Sequence, residues 1–151
     1  MQKKIWGNAT WYLFHTLAEK LKPEFKSELS VLFSYIELIC NNLPCPTCQA
    51  HAKVVMSRAN KPVITLTQDN LKAYLWSFHN SVNKRIGLPE FTQDSLSIYK
   101  RANTNNIIQN FINVMNENTR NEKAMLNSFH RQLFIKNFIQ YINANRNKYS
   151  N

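Results

Sequence analysis

The scarcity of glycine constrains the fold of this chain more than any other feature of its sequence. Only Gly7 and Gly87 occur in 151 residues. An all-β protein of this size needs frequent turns, and its strands would show runs of alternating hydrophobicity. The chain shows neither, so we predict an all-α protein. An apolar fraction of 44% supports one principal folded domain with a real core.

Apolar residues recur with a helical period along the first hundred residues. Asn8 and Thr67 are expected to cap two of the helices, and Gly87 is expected to end one. The predicted architecture is a four-helix bundle plus a short fifth helix. The predicted ranges are about 8–21, 26–41, 46–58, 67–86 and 92–101.

From residue 102 the chain becomes rich in asparagine, yet its apolar residues keep a helical spacing. We therefore divide the chain into a bundle domain, residues 1–101, and a helical C-terminal extension, residues 102–151. The last helix is predicted at about 123–144. It is too apolar for a solvated tail, so it must pack on the bundle or on a partner.

Charge and hydropathy exclude some functions. The net charge of +10 suits an acidic partner or an anionic cofactor, but such an excess is usually a solvated face. No segment approaches the roughly 20 apolar residues of a membrane span, and the first residues lack a signal-peptide cleavage site. We expect a soluble, cytoplasmic protein that binds neither nucleic acid nor membranes.

The motif Cys45-Pro46-Thr47-Cys48 is the main candidate for chemistry. In a chain without a secretory signal, a close cysteine pair favours catalysis or metal binding over a structural disulfide. The predicted helix start at Pro46 places the pair where the helix dipole and free amides stabilise a thiolate. Cys48 lies one turn inside and can form a disulfide with Cys45.

A zinc site is the alternative interpretation. Cys45, Cys48 and His51 could supply three ligands, and the fourth could come from His15, His79 or His130. The protein would then be a non-enzymatic, zinc-stabilised helical interaction protein. A structural zinc site more usually has two close ligand pairs, and the chain has only one Cys-x-x-Cys motif.

A second candidate feature is a polar and aromatic face on the helix predicted at 67–86. Its residues stand at i, i+3, i+4 and i+7, namely Trp76, His79, Asn80 and Asn83. On an isolated helix, a buried tryptophan edge with hydrogen-bonded polar neighbours would explain them.

Trp11 and His15 share a face of another helix, and the two faces together favour a binding site over ordinary packing. Together the two faces suit a flat cofactor with an adenine and an isoalloxazine ring. Lys84 and Arg85 could contact its pyrophosphate. No glycine-rich dinucleotide motif is present, so such a cofactor would have to bind within a helical bundle.

These motifs resemble the Erv/ALR family of flavin-dependent sulfhydryl oxidases. The resemblance covers residues 5 to about 100. A Cys-x-x-Cys motif followed by a His-Asn-x-Val-Asn segment is far more specific to the family than either motif alone. The opening Ile5-Trp6-Gly7 and Leu43-Pro44-Cys45 are most similar to the compact forms encoded by large cytoplasmic DNA viruses. The residues that carry the resemblance are Trp6-Gly7, Trp11, His15-Thr16, Cys45-Pro46-Thr47-Cys48, His79-Asn80-Ser81-Val82-Asn83, Gly87 and Pro89.

The resemblance implies a small helical bundle, usually a homodimer, that binds FAD and oxidises dithiols with oxygen as acceptor and peroxide as product. Cys45 would exchange with the substrate, and Cys48 would be the flavin-proximal cysteine. The positions that would surround FAD are Trp6, Gly7, Trp11, His15, Trp76, His79, Asn80, Val82 and Asn83, with Lys84 and Arg85 as phosphate contacts.

Two departures from the family pattern bear on function. Leu88 stands where relatives often have a lysine, so a phosphate contact is expected to move to Lys84 or Arg85. Cys40 is the only further cysteine, and a shuttle pair cannot be built from it. We therefore expect a separate thioredoxin-like protein as electron donor. We expect Cys40 to be a small packing residue, with an intermolecular or regulatory disulfide as the alternative.

Overall fold

The computed structural model describes residues 3–118 and 125–151, which form an all-α fold as predicted. No strand forms among these residues, although an isolated β-bridge joins Leu21 to Tyr149. The helices are α1 Lys3–Lys20, α2 Leu29–Cys40, α3 Pro46–Ser57, α4 Lys61–Ile64, α5 Gln68–Ile86, α6 Thr104–Asn118 and α7 Met125–Asn145. Three 3₁₀ segments cover Pro23–Glu28, Gln93–Arg101 and Arg146–Lys148.

Helix α5 has the boundaries that its caps predict. The hydroxyl of Thr67 accepts the backbone N–H of Asn70 at 3.0 Å. At the other end Gly87 has φ 79°, a left-handed conformation that glycine adopts without a side-chain clash. Leu71 and Leu75 are fully buried, so this helix fixes its remaining faces around the candidate site.

Four other boundaries differ from the predictions. Helix α1 begins at Lys3, so Asn8 lies inside the helix and does not cap it. The stretch before α2 is a 3₁₀ segment with a kink at Phe25, and the predicted fifth helix is also a 3₁₀ segment. The short helix α4 was not predicted. Its Asn60 cap accepts the N–H of Val63, a side-chain contact typical of asparagine before a helix.

The C-terminal extension shares the hydrophobic core of the bundle. Helix α6 lies against α1, and α7 lies against α6 and α2. The fully buried rings of Phe111 and Phe138 meet edge to face at 5.4 Å in this core. The division between residues 1–101 and 102–151 stays a prediction, and the predicted start of the last helix at Lys123 lies outside the described residues.

Polar contacts fasten the end of the chain to α1 and to the 3₁₀ segment Pro23–Glu28. The N–H of Ser150 donates to the carbonyl of Lys20 at 2.7 Å. Tyr149 is only 2% exposed, and its hydroxyl lies 2.6 Å from that of Tyr141. The Tyr141 hydroxyl in turn donates to Glu28 at 3.1 Å. These buried hydrogen bonds tie three distant parts of the sequence together.

No helix in the described part of the chain is long and apolar enough to cross a membrane.

Candidate functional site

Cys45 and Cys48 lie at the N-terminus of α3. Cys45 precedes the helix with an extended backbone, and its sulfur accepts the N–H of Cys48 at 3.3 Å. The thiol thus takes the place of the side-chain oxygen that usually caps a helix. Pro46 occupies the first turn, where its missing N–H leaves no hydrogen bond unmade. Both cysteines are free, so the structure shows the pair as a dithiol.

The two thiols have opposite pKa shifts. Burial raises the pKa of Cys45, but hydrogen bonds from Cys48 and Thr47 outweigh this effect, and the pKa lies below its ordinary value. The Thr47 hydroxyl lies 3.1 Å from the Cys45 sulfur. Burial also raises the pKa of Cys48, and the neighbouring Cys45 raises it further. Cys45 is therefore the more acidic of the two thiols.

The pair also faces two different environments. Cys45 is partly exposed at the surface. Cys48 is buried and lies on the wall of a cavity of about 620 Å³. One sulfur is thus open to a partner molecule, and the other faces the interior space.

Helices α1, α2, α3 and α5 and the segments that follow α2 and α5 form this cavity, and Cys40 contributes from the end of α2. Its volume lies within the roughly 300–1,000 Å³ of ligand sites in proteins. Much of the wall is apolar and aromatic, with Trp6, Phe14 and Phe78 among the lining residues. Lys3, Lys4 and Arg85 bring positive charge to the same cavity, a combination that suits a ligand with flat rings and an anionic group.

The structure brings most of the predicted site residues to the cavity. Those that line it are Trp6, Gly7, Trp11, Cys48, His79, Val82, Asn83 and Arg85. The predicted residues that do not line it are Cys45, His15, Trp76, Asn80 and Lys84. His51, the third residue of the zinc alternative, also lines it.

Trp11 and His79 form a flat stack beside the cavity. Their ring centroids lie 4.1 Å apart and the rings are nearly parallel, at 7°. Phe78 meets the Trp11 ring edge to face at 5.1 Å. These contacts lock both rings in one orientation before any ligand arrives.

His15 contacts the His79 ring of this stack. Its Nε2 lies 2.9 Å from Nδ1 of His79, and its ring stacks on that of Tyr99 at 4.8 Å. Burial and the neighbouring His79 lower the pKa of His15 to about 3, and burial lowers the pKa of His79 to about 4. Both rings are therefore neutral near pH 7, and a single shared proton joins them.

Trp76 and Asn80 hold the segment that follows α5. The indole N–H of Trp76 and the side-chain NH₂ of Asn80 both donate to the carbonyl of Phe91, at 2.8 Å and 2.9 Å. Asn80 also accepts the N–H of Phe91 at 3.0 Å. This segment includes Pro89, which lines the cavity. The two side chains thus shape the site through the backbone around Phe91.

Several lining residues were missed at the level of sequence. Lys3 and Lys4 were missed because α1 was predicted to start at Asn8, which left them outside any helix. Phe78 has the helical spacing of a core residue of α5, and the structure shows that this buried ring also lines the cavity. No cap residue precedes these lysines, so the sequence contains no signal that extends the helix to them.

The structure gives no support to the zinc alternative. Within residues 3–118 and 125–151, no group of three or more histidine, cysteine, aspartate or glutamate side chains is close enough to hold a metal ion. His79 instead bonds to His15. The exposed His130 lies on α7.

Comparison with known proteins agrees with the site geometry. The chain is 33% identical over 89 residues to 096R of Invertebrate iridescent virus 3, which is named as a candidate FAD-linked sulfhydryl oxidase. It is 33% identical over 92 residues to the FAD-linked sulfhydryl oxidase ERV1 of Oryza sativa subsp. japonica. These matches span 58% and 60% of this chain.

The same matches cover only 60% of the viral relative and 46% of the rice relative. A third relative, 347L of Invertebrate iridescent virus 6, is 28% identical over 92 residues, which make up 56% of this chain and 82% of that protein. No solved structure matches the chain significantly.

The family comparison covers most of the cavity wall, although Lys3, Lys4, Trp6 and Gly7 precede the matched residues. The profile of the Erv1 / Alr family matches residues 8–104, which include both cysteines, the Trp11 and His79 stack and all of α5. With the paired cysteines beside an aromatic, cation-lined cavity, this match shows that the chain belongs to the Erv1 / Alr family.

Proposed function

We propose that this protein is an FAD-linked sulfhydryl oxidase that forms disulfide bonds in protein dithiols. One observation carries the proposal: the two cysteines of the Cys-x-x-Cys pair lie in different environments. Cys45 is partly exposed, and Cys48 lies on the wall of the aromatic cavity. A pair so arranged can exchange disulfides on one side and release electrons on the other.

The cavity residues fit FAD in their chemistry. The stacked rings of Trp11 and His79 suit flat ring systems, and neutral His79 adds no charge beside them. Arg85 offers two parallel donors for a pyrophosphate, a role for which guanidinium is well suited. We expect Val82 and Asn83 to contact the cofactor as well, because both line the cavity. FAD, when bound, would accept the two electrons of the dithiol and pass them to oxygen with formation of peroxide.

The cysteines perform the thiol chemistry in two exchanges. With Cys45 and Cys48 joined as a disulfide, a substrate thiolate attacks the Cys45 sulfur, a mixed disulfide forms, and Cys48 leaves as a thiolate. The second substrate thiol loses its proton and attacks the substrate sulfur of the mixed disulfide. Cys45 leaves as a thiolate and the substrate keeps the new disulfide. The lowered pKa of Cys45 makes it a good leaving group in this step.

The pair then holds the two electrons taken from the substrate. Cys48 is the sulfur from which they leave, since it lies on the cavity wall and Cys45 does not.

The donor in this proposal is a separate protein with its own dithiol, of thioredoxin-like type. Cys40 is the only further cysteine of the sequence. It is 2% exposed, and burial raises its pKa to about 12. A buried thiol of this kind cannot receive a disulfide from a protein substrate. The homodimer expected from the family resemblance remains part of the same proposal.

A visible absorption spectrum tests the proposal directly. The purified protein should show a flavin band that bleaches when a dithiol is added without oxygen and returns when air is admitted. A colourless protein that loses its fold to a chelator would instead favour the zinc-stabilised interaction protein.

A further inference from the structure

The first residue of α1 lies beside the buried sulfur of the redox pair. Lys3 and Cys48 line the same cavity, although they are 45 positions apart in the sequence. Lys3 lowers the pKa of the Cys48 thiol both by its charge and by hydrogen bonding. The two residues share this cavity because α1 begins at Lys3, five residues before Asn8.

No carboxylate competes for this ammonium group within the described residues. The ion pairs there use Lys61, Lys72 and Lys148. Neither α1 nor α3 has an acidic residue in its first turn. The charge of Lys3 is therefore directed at the cysteine pair.

Other groups around Cys48 act differently. Burial and Cys45 raise its pKa, and Lys3 works against both of them by charge and by hydrogen bond. His51 and Arg85 also line the cavity, from α3 and α5, as does neutral His79. Of these groups, only Cys45 and Lys3 act on the protonation of Cys48.

We propose that Lys3 is a catalytic residue that stabilises the Cys48 sulfur as a thiolate when the Cys45–Cys48 disulfide opens. The inference rests on the proposed oxidase function, because only disulfide exchange makes Cys48 a leaving group. In that step the substrate sulfur bonds to Cys45, the bond between Cys45 and Cys48 breaks, and the electron pair stays on Cys48. The ammonium group shares the cavity on whose wall this negative charge appears.

The test is alkylation of Cys48 by iodoacetamide in the full-length Cys45→Ser protein, with the modified residue located by mass spectrometry. Only the thiolate reacts, so the rate near neutral pH reports the thiolate fraction. In this background, Lys3→Gln should slow alkylation of Cys48 by roughly threefold to tenfold, since a charge at contact distance moves a pKa by up to about one unit. Lys3→Arg should restore most of the rate.

Lys53→Gln is the matched control. It removes the same charge from an exposed position of α3 outside the cavity, so it should leave the rate unchanged. The difference in alkylation rate between Lys3→Gln and its parent should also shrink in high salt, because salt screens an exposed ammonium group. Equal rates for Lys3→Gln and its parent would overturn the proposal, and so would an equal slowing by Lys53→Gln.

The alkylation rate requires neither bound flavin nor turnover, and flavin content is matched between samples by absorbance. A separate oxidase assay of the unmodified protein tests the proposed function. Failure of that assay with a clear Lys3 effect would reject the oxidase function. Turnover without a Lys3 effect would reject only the role of Lys3.

Discussion

Nε2 of His15 and Nδ1 of His79 lie 2.9 Å apart across the interface of α1 and α5. The two residues are 64 positions apart in the sequence. Each ring also stacks on an aromatic neighbour, Tyr99 for His15 and Trp11 for His79. The bond requires at least one neutral ring, since two imidazolium rings would both be donors.

We predict that the protein loses stability as the pH falls below about 6.5. The pKa of His15 is about 3 in the folded protein, against 6.5 for an ordinary histidine, and that of His79 is about 4. The unfolded chain therefore binds more protons between these values, and stability present above pH 6.5 is lost as the pH falls. For His15 alone the cost at pH 5 is on the order of 2 kcal/mol.

Denaturant unfolding at pH 7 and pH 5 measures this effect. The free energy of unfolding should fall less between pH 7 and pH 5 in His15→Gln than in the wild type, because the unfolded state has lost one proton-binding site. The exposed His130 provides the control, since His130→Gln should behave as the wild type. Identical losses in His15→Gln and the wild type would reject the protonation argument.

Cys45→Ser and Cys48→Ser should each retain flavin colour and lose dithiol oxidation. The two variants should differ toward a small disulfide reagent, because Cys45 is partly exposed with a lowered pKa and Cys48 is buried with a raised one. We expect Cys48→Ser, which keeps Cys45, to react at least several times faster. Ser57→Ala at the end of α3 serves as the control. Normal turnover in Cys48→Ser would remove Cys48 from the mechanism.

Asn80→Ala should destabilise the protein by about 1–3 kcal/mol, because it removes two hydrogen bonds to the half-buried backbone of Phe91, and the Phe91 carbonyl keeps only the bond from Trp76. Flavin retention should also fall, since the segment after α5 borders the cavity. Thermal unfolding and flavin absorbance after gel filtration measure both effects. The exposed neighbour provides the comparison, and Ser81→Ala should change neither. Unchanged flavin content in Asn80→Ala would mean that this segment does not shape the cofactor site.

Tyr141→Phe should cost more stability than Tyr149→Phe. The Tyr141 hydroxyl contacts both Glu28 and Tyr149, whereas the Tyr149 hydroxyl contacts only Tyr141 among the bonds of this network. Each loss should be about 1–3 kcal/mol, because a buried polar partner is left unsatisfied. The double variant should lose less than the sum of the single losses. Additive losses measured by denaturant unfolding would show that the two hydroxyls act independently.

Local signals in the sequence predict the fold well where a helix is marked at both ends. Helix α5 is the example, with Thr67 before it and Gly87 after it. Helix α1 shows the opposite case. Asn8 has the chemistry of a cap, but lysine is a good helix former, so Lys3 and Lys4 are compatible with an earlier start. No residue in the sequence marks the true start of the helix.

The candidate site was predictable to the extent that its residues share one helix face or one motif. His79, Val82 and Asn83 line the cavity as that pattern suggests. Trp76 and Asn80 share the pattern but bond to Phe91, and periodicity cannot foresee a backbone segment that folds back over the helix. The sequence pattern also does not predict that Lys3 and Cys48 line one cavity, because this depends on how α1 and α3 meet.

The bridge between Leu21 and Tyr149 has a consequence for the order of folding. It closes a loop that spans most of the chain, so its formation costs more chain entropy than any contact within a helix. Until it forms, the end of α1 lacks its cover and the carbonyl of Lys20 lacks the N–H of Ser150. We therefore expect the native packing around Leu21 to be completed late in folding, after the cysteine pair and its helix have formed.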